Sequence, residues 1–312
     1  MSEPVIKTVN LTKRYGDLVA LSNLNLEIAE GDCFGFIGPN GAGKTTTIKI
    51  LATLLQPTWG EARVCGHVVG YQSRQIRPLL GYVPDYFGAY EDMVVQEYLE
   101  FFAAAYDING SDRVKVVGDC LELTDLTYKR DAPVDGLSRG MKQRLSIARV
   151  LLHDPKVLLL DEPAGNLDPR ARVELRELLK TLRGMGKTII ISSHILPELQ
   201  DLCNTVGIIE RGELQYSGPW TDIVRRARRG TVVQVGLASN HTPAASMLSQ
   251  DPNVQKVETK GDLLEVTLKD GLTDYAFLAG RLVQGGYKLT LFREEEVNLE
   301  TAFMRLTKGV VQ

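Results

Sequence analysis

The chain has 312 residues, 44% of them hydrophobic and 24% charged, with 36 Lys and Arg against 39 Asp and Glu, a net charge of −3 and a pI near 5.9. That length predicts one large domain with a smaller companion, and the composition is that of an ordinary globular protein. No run of about 18 apolar residues is present to span a bilayer, and the acidic balance argues against nucleic-acid binding as the main task.

From Pro4 to Ile28 the sequence alternates as strands do, around a turn at Tyr15-Gly16-Asp17. Cys33–Ile37 is a short apolar run that stops at Gly38, and residues 45–55 have helical spacing, with Ile48, Ile50, Leu51, Leu54 and Leu55 apolar. Strand, glycine-rich loop and helix follow one another there. Between Lys44 and Asp161 lie 116 residues, more than one crossover needs. Within them Tyr98, Leu99, Phe101, Phe102 and Ala105 are expected on one helical face, and Val114, Val117, Cys120 and Leu121 on another, so an inserted helical subdomain is expected over about 90–135.

Val157–Leu160 ends in Asp161-Glu162-Pro163, and residues 188–192 end at Ser193-His194. Both runs are unbroken rather than alternating, as in strands buried on both faces of a parallel sheet, where reactive groups gather at the carboxyl ends. Beyond Gly230 the order reads strand (231–237), helix (242–249), strands at 254–259 and at Leu263–Leu268 turning near Lys260-Gly261-Asp262, helix (274–283), strand (287–292) and a last helix (299–306). This β-α-β-β-α-β order is that of a ferredoxin-like split βαβ. The expected fold is therefore α/β, with a mainly parallel core sheet over residues 1–228 and a small α+β domain over 229–312. The run Arg225 to Arg229 reads as a solvated helix end.

Met1-Ser2-Glu3-Pro4 lacks the basic start and apolar stretch of a signal peptide. The four cysteines, Cys33, Cys65, Cys120 and Cys203, form no Cys-x-x-Cys pair, so neither a disulfide nor a zinc framework is expected and a reducing cytoplasm fits.

The chemistry starts at Gly38-Pro39-Asn40-Gly41-Ala42-Gly43-Lys44-Thr45, which fits G-x-x-x-x-G-K-[ST], with Thr46 directly after it. In such a loop backbone N–H groups and a helix N-terminus cradle phosphates. Lys44 would reach the β- and γ-phosphates of ATP, and the Thr45 hydroxyl would ligate Mg²⁺. Asp161 and Glu162 suit a Mg²⁺ contact followed by a water-activating carboxylate. Ser138 reads as a helix N-cap, and the glycine-containing helix start Ser138-Arg139-Gly140-Met141 is also an anion site.

Over about residues 5–225 the chain resembles the ATP-binding subunits of ABC transporters. Leu137-Ser138-Arg139-Gly140-Met141-Lys142-Gln143 is similar to the family's Leu-Ser-Gly-Gly-Gln motif, with Arg139 in place of the first glycine and Met141 in place of the glutamine. The resemblance implies a composite site in a homodimer, in which Ser138, Arg139 and Gly140 of one subunit close over ATP held by the other. It further implies that Tyr15, with Val19 and Ala20 nearby, stacks on adenine, that Asn166-Leu167-Asp168 links the two sites, and that His194 contacts the γ-phosphate. The family's glutamine falls at Asp85, in Gly81-Tyr82-Val83-Pro84-Asp85, which would make Asp85 a charged ligand to Mg²⁺. Phe292-Arg293-Glu294-Glu295-Glu296 and Asn298-Leu299-Glu300-Thr301-Ala302-Phe303 are similar to the C-terminal end of ABC-2-type exporter ATPases.

The expected function is ATP hydrolysis, with Glu162, His194 and Lys44 catalytic, powering a separate integral-membrane permease from the cytoplasmic face of the membrane. Export of a lipid, drug, polysaccharide or similar compound is the expected outcome, with no nucleic-acid partner. The alternatives are a nucleotide-dependent regulator and a cytosolic ABC-type ATPase not coupled to transport. The single phosphate loop and the lack of sustained heptads separate the chain from ribosome- and chromosome-acting relatives.

Overall fold

The computed structural model describes residues 3–86, 88, 92–227, 231–239, 241–269, 272 and 274–295. The chain divides into two compact units, one running to Trp220 and the other beginning at Thr221.

The first unit opens with β1 (Ile6–Tyr15) and β2 (Leu18–Ile28), paired antiparallel about a turn that Gly16 closes at φ +57°. β3 (Cys33–Ile37), buried at all five positions, leads through the glycine-rich loop into α1 (Lys44–Leu51). The helical spacing read to Leu55 overshoots the helix. Thr53 turns to φ +60°, and the Leu54 and Leu55 N–H groups fold back on the Lys49 carbonyl, leaving Leu54 exposed. The short β4 (Trp59–Val64) and β5 (His67–Val68) complete an antiparallel sheet of order β2-β1-β4-β5. One turn of helix, α2 (Ser73–Ile76), precedes β6 (Leu80–Val83).

Two helices follow, α3 (Val95–Ala105) and α4 (Gly110–Leu123). Their buried faces differ from those expected. On α3 it is Val95, Tyr98, Leu99 and Ala103 that are buried, while Phe101 and Ala105 are exposed; on α4 Val117, Cys120 and Leu121 are buried and Val114 is exposed. Aromatic and β-branched residues at the edge of a stripe count toward an apolar pattern without entering the core.

The core of the unit is completed by α5 (Arg139–Leu151), β7 (Val157–Leu160), α6 (Pro169–Gly184), β8 (Thr188–Ser193), α7 (Leu196–Gln200), β9 (Thr205–Glu210) and β10 (Glu213–Pro219). The central sheet has the order β10-β9-β3-β8-β7-β6, parallel from β9 to β6 with β10 antiparallel at the edge. β3, β7 and β8 are buried throughout, which is why each reads as an unbroken apolar run.

Helix α8 (Trp220–Ala227) starts at the division between the units; the side chains of the Arg225–Arg229 run lie outside the described residues. The second unit contains β11 (Val232–Leu237), α9 (His241–Ser249), β12 (Val254–Lys260), β13 (Leu263–Leu268), α10 (Ala276–Gln284) and β14 (Leu289–Glu294). Its sheet order β12-β13-β11-β14, antiparallel throughout, is that of a ferredoxin-like fold. Val233, Val235, Leu264, Val266, Leu248, Leu278 and Leu282 close its core from one sheet face and two helices. The last helix read at 299–306 and the exporter-like tail from Glu296 lie outside the described residues.

Candidate active site

The carboxyl ends of three adjacent parallel strands, β3, β8 and β7, carry the residues singled out by the sequence. The loop after β3 is built around two cramped glycines. A Cβ on Gly38 would stand 2.2 Å from the Ile209 carbonyl oxygen, and one on Gly43, at φ +111°, would stand 2.7 Å from Leu21 and 2.8 Å from the Ala20 oxygen. These contacts press the loop against β9 of the central sheet on one side and β2 of the antiparallel sheet on the other, leaving room only for glycine at both positions. Lys44 is buried, its ammonium donating to the carbonyls of Gly38 at 2.6 Å and Pro39 at 3.2 Å. It also lies 3.2 Å from Glu162 Oε1.

Glu162 holds a left-handed backbone, φ +47°, unusual for a residue other than glycine. Its other oxygen, Oε2, accepts from His194 Nδ1 at 2.9 Å, which fixes the proton of that imidazole on Nδ1. Lys44, Glu162 and His194 thus form one chain of contacts across β3, β7 and β8.

Beside it, Asp161 is buried. Its Oδ1 accepts from the Thr45 hydroxyl at 3.0 Å and from the Ser192 hydroxyl at 2.8 Å. Burial pushes the Asp161 carboxyl above its usual range; the two hydroxyl bonds oppose that, and the charges of Glu162 and Asp85 add to it. A buried carboxylate partnered by neutral hydroxyls is a fitting donor for a hard cation, as is the Thr45 hydroxyl. Among the described residues no three His, Cys, Asp or Glu side chains cluster closely enough to hold a metal by themselves.

Asp85 is exposed at the end of β6, and its charge also reaches Tyr82, whose hydroxyl burial pushes up to about 12. Tyr15, at the end of β1, is half exposed, with the Lys13 ammonium 5.2 Å from its ring centre.

The remaining expected residues form a second patch. The Ser138 hydroxyl caps α5 by accepting from Met141 N at 3.2 Å, and the Asp168 carboxylate caps α6 by accepting from Ala171 N at 2.9 Å. The two helix starts touch: a Cβ on Gly140 would lie 2.6 Å from the Ala171 Cβ. Ser138, Arg139 and Asp168 are exposed on this paired edge, and Gly140 is buried beneath it. Arg144 turns inward to the Thr124 and Asp125 carbonyls and to the Asp125 carboxylate at 3.0 Å. It serves the helical subdomain.

Sequence reasoning missed Ser192, which is wholly buried and joins Asp161 to Glu162. The signal was present as a hydroxyl closing an isoleucine run.

Residues 21–165 match a family model described as ABC transporter. The chain is 35% identical over 312 residues to the Nod factor export ATP-binding protein I of Burkholderia orbicola, covering all of both chains. It is 33% identical over 306 residues to the protein of that name from Ralstonia nicotianae, covering 98% of this chain and 94% of that one. Among solved structures it resembles cbiO1 from Clostridium perfringens, part of the ABC transporter complex cbiONQ, with a TM-score of 0.66, 25% identity and coverage of 80% of this chain and 100% of that one. It also resembles an ATP-binding cassette in a dimeric post-hydrolysis state bound to ADP and Pi, with a TM-score of 0.62, 28% identity and coverage of 69% and 98%.

Proposed function

Because the chain belongs to the ATP-binding subunits of ABC transporters, in the ABC-2-type exporter group, we propose that the cluster around Glu162 is the hydrolytic centre with which it powers a separate membrane permease. The observation that carries this reading is the Lys44–Glu162–His194 chain, with contacts of 3.2 and 2.9 Å, at the mouth of the phosphate loop.

ATP is the substrate. Its adenine stacks on Tyr15, and its phosphates take backbone N–H groups of residues 40–46, with Gly38 and Pro39 shaping the loop before them. Lys44 leaves the Gly38 and Pro39 carbonyls and Glu162 for the β- and γ-phosphate oxygens, which carry far more negative charge. Glu162, released from Lys44, orients or deprotonates the attacking water. His194 then contacts the γ-phosphate through its ring N–H and stabilises the charge developing there. Thr45, Asp161 and Asp85 would hold Mg²⁺, which when bound neutralises charge on the β- and γ-oxygens. Ser138, Arg139 and Asp168 line one edge over the buried Gly140, and in a homodimer that edge closes over the nucleotide of the other copy.

Among the described residues no helix is long and apolar enough to cross a membrane. A groove of about 610 Å³ lined by Leu54, Leu80, Tyr82, Phe102, Tyr106 and Arg149 offers the permease an aromatic seat on the cytoplasmic face of the membrane. The relatives named for export favour export here, of a lipid, drug, polysaccharide or similar compound.

Glu162→Gln keeps the side chain's shape and removes its basicity. It should bind ATP within a few-fold of the unaltered protein while phosphate release falls about 10²–10⁴-fold; near-normal release would remove Glu162 from this role. Purification from membranes together with a polytopic protein tests the permease.

A further inference from the structure

The geometry points to Ser192 as a positioning residue for hydrolysis, a hydroxyl that locks the Asp161 carboxylate and the Glu162 backbone into one unit. The inference rests on the roles proposed above for those two acids.

β7 and β8 run parallel, with Leu160 beside Ile191, so the next residues along, Asp161 and Ser192, are lateral neighbours where the strands end. On β8 Ser192 has the same side-chain sense as Ile190, a member of the apolar core, and like it is buried. An apolar residue there would extend the run Ile189-Ile190-Ile191, and a buried hydroxyl is costly unless bonded. Ser192 meets that cost in both directions. Its O–H donates to Asp161 Oδ1 at 2.8 Å, and its oxygen accepts from Glu162 N–H at 2.8 Å. A hydroxyl has one donor and two acceptor sites, so a single atom can satisfy both residues.

What this restrains is specific. Glu162 stands at φ +47°, a conformation that unbranched L residues leave readily for the ordinary extended or helical regions. The bond from its N–H to Ser192 holds the peptide at the strand end in the orientation that sends the carboxylate between Lys44 and His194. The same oxygen ties that peptide to Asp161, whose Oδ1 is shared with Thr45. His194 follows Ser192 by two residues, directly after the strand, so Asp161, Glu162 and His194 are referenced to one strand end.

Ser192→Ala, Ser192→Thr and Glu162→Gln should be compared in the full-length protein. The readouts are kcat and KM for ATP by phosphate release, equilibrium binding of a fluorescent ATP analogue in Mg²⁺ and in EDTA, and the thermal midpoint. Ser192→Ala is expected to lower kcat between about tenfold and a hundredfold, the loss that misplacement by about 1 Å causes. KM and both binding constants should stay within about threefold, and Ser192→Thr, which keeps the hydroxyl, should regain most of the rate. A Ser192→Ala enzyme within twofold of the unaltered kcat, beside an inactive Glu162→Gln, overturns the inference and leaves the hydrolytic centre standing. So does a loss of binding and thermal midpoint that the threonine variant fails to restore, which would mark a packing residue only. An active Glu162→Gln overturns the centre and the inference with it.

Discussion

The Lys44 ammonium and the Glu162 carboxylate, 3.2 Å apart and both largely withdrawn from solvent, hold each other at the mouth of the phosphate loop. Glu162 Oε1 makes no hydrogen bond among the described residues, so the lysine is its electrostatic partner. Lys44→Ala should therefore cost more than nucleotide affinity. It strands a nearly buried carboxylate, and adding Glu162→Gln should recover part of the lost stability. A double-mutant cycle on chemical denaturation of the nucleotide-free protein is expected to give a coupling of about 0.5–3 kcal/mol.

Gly140 is where the family-like motif meets packing. A methyl group there falls 2.6 Å from the Ala171 Cβ, so Gly140→Ala must separate the first turns of α5 and α6. A destabilisation of about 1–3 kcal/mol is expected from overpacking. The shifted Ser138 edge should also reduce ATP-dependent dimerisation by size-exclusion chromatography, while nucleotide binding to the phosphate loop stays within a few-fold.

His153 supplies a pH dependence remote from the nucleotide. Its ring stacks on Tyr106 at 4.2 Å, Nε2 donates to the Leu80 carbonyl at 3.1 Å, and buried Nδ1 makes no hydrogen bond among the described residues. Burial pushes its pKa below the usual 6.5, against the opposing pull of that carbonyl. For a base with a depressed folded pKa, the unfolded chain takes up the proton first. The neutral-state stability is thus complete above 6.5 and is lost as the pH falls from there through the folded value. Thermal midpoints measured from pH 8 to pH 5 should decline less steeply for His153→Gln, whose amide can still donate to Leu80.

Tyr15 projects from the β1–β2 hairpin with its ring half exposed. If it stacks on adenine, Tyr15→Ala should raise KM for ATP roughly three- to tenfold, matching about 0.5–1.5 kcal/mol of stacking, with kcat little changed. Tyr15→Phe should bind ATP like the unaltered protein. An equal KM for both variants would place adenine elsewhere.

The sequence was most readable where one local requirement dominates. Double-sided burial makes β3, β7 and β8 continuous apolar runs, and the loop between β3 and α1 must be glycine-rich because Gly38 and Gly43 touch neighbouring backbone. The ferredoxin-like unit is legible for a related reason, since one-sided burial of its sheet leaves alternation and its turns carry glycine, as at Gly261. β9 and β10 are harder to read, because β9 passes through Gly207, a residue required there by contact with Phe34 and Phe36 on the neighbouring strand. Nothing local announces the left-handed backbone of Glu162. Nor does anything local reveal that Ser192 faces Asp161 from 31 residues away, a relation that exists only once β7 and β8 lie side by side.

Asp85 is the sharpest departure from the family pattern, and its surroundings say what the change should do. It lies exposed beyond β6, near Gly165 in the turn after Glu162, and its charge is felt by Asp161 and Tyr82. Replacing it by glutamine removes a negative charge that raises the Asp161 carboxyl and adds an amide donor the aspartate lacks. Since the phosphate loop, Lys44 and Tyr15 are untouched, Asp85→Gln should leave ATP affinity within a few-fold. The Mg²⁺ concentration for half-maximal hydrolysis should rise, because one hard anionic oxygen is lost from the cation's neighbourhood. The ratio of permease-stimulated to basal hydrolysis should change as well if Asp85 also couples the site to the permease. Unaltered Mg²⁺ dependence and unaltered stimulation together would remove Asp85 from both tasks, and complete loss of nucleotide binding would show that it holds up the loop itself.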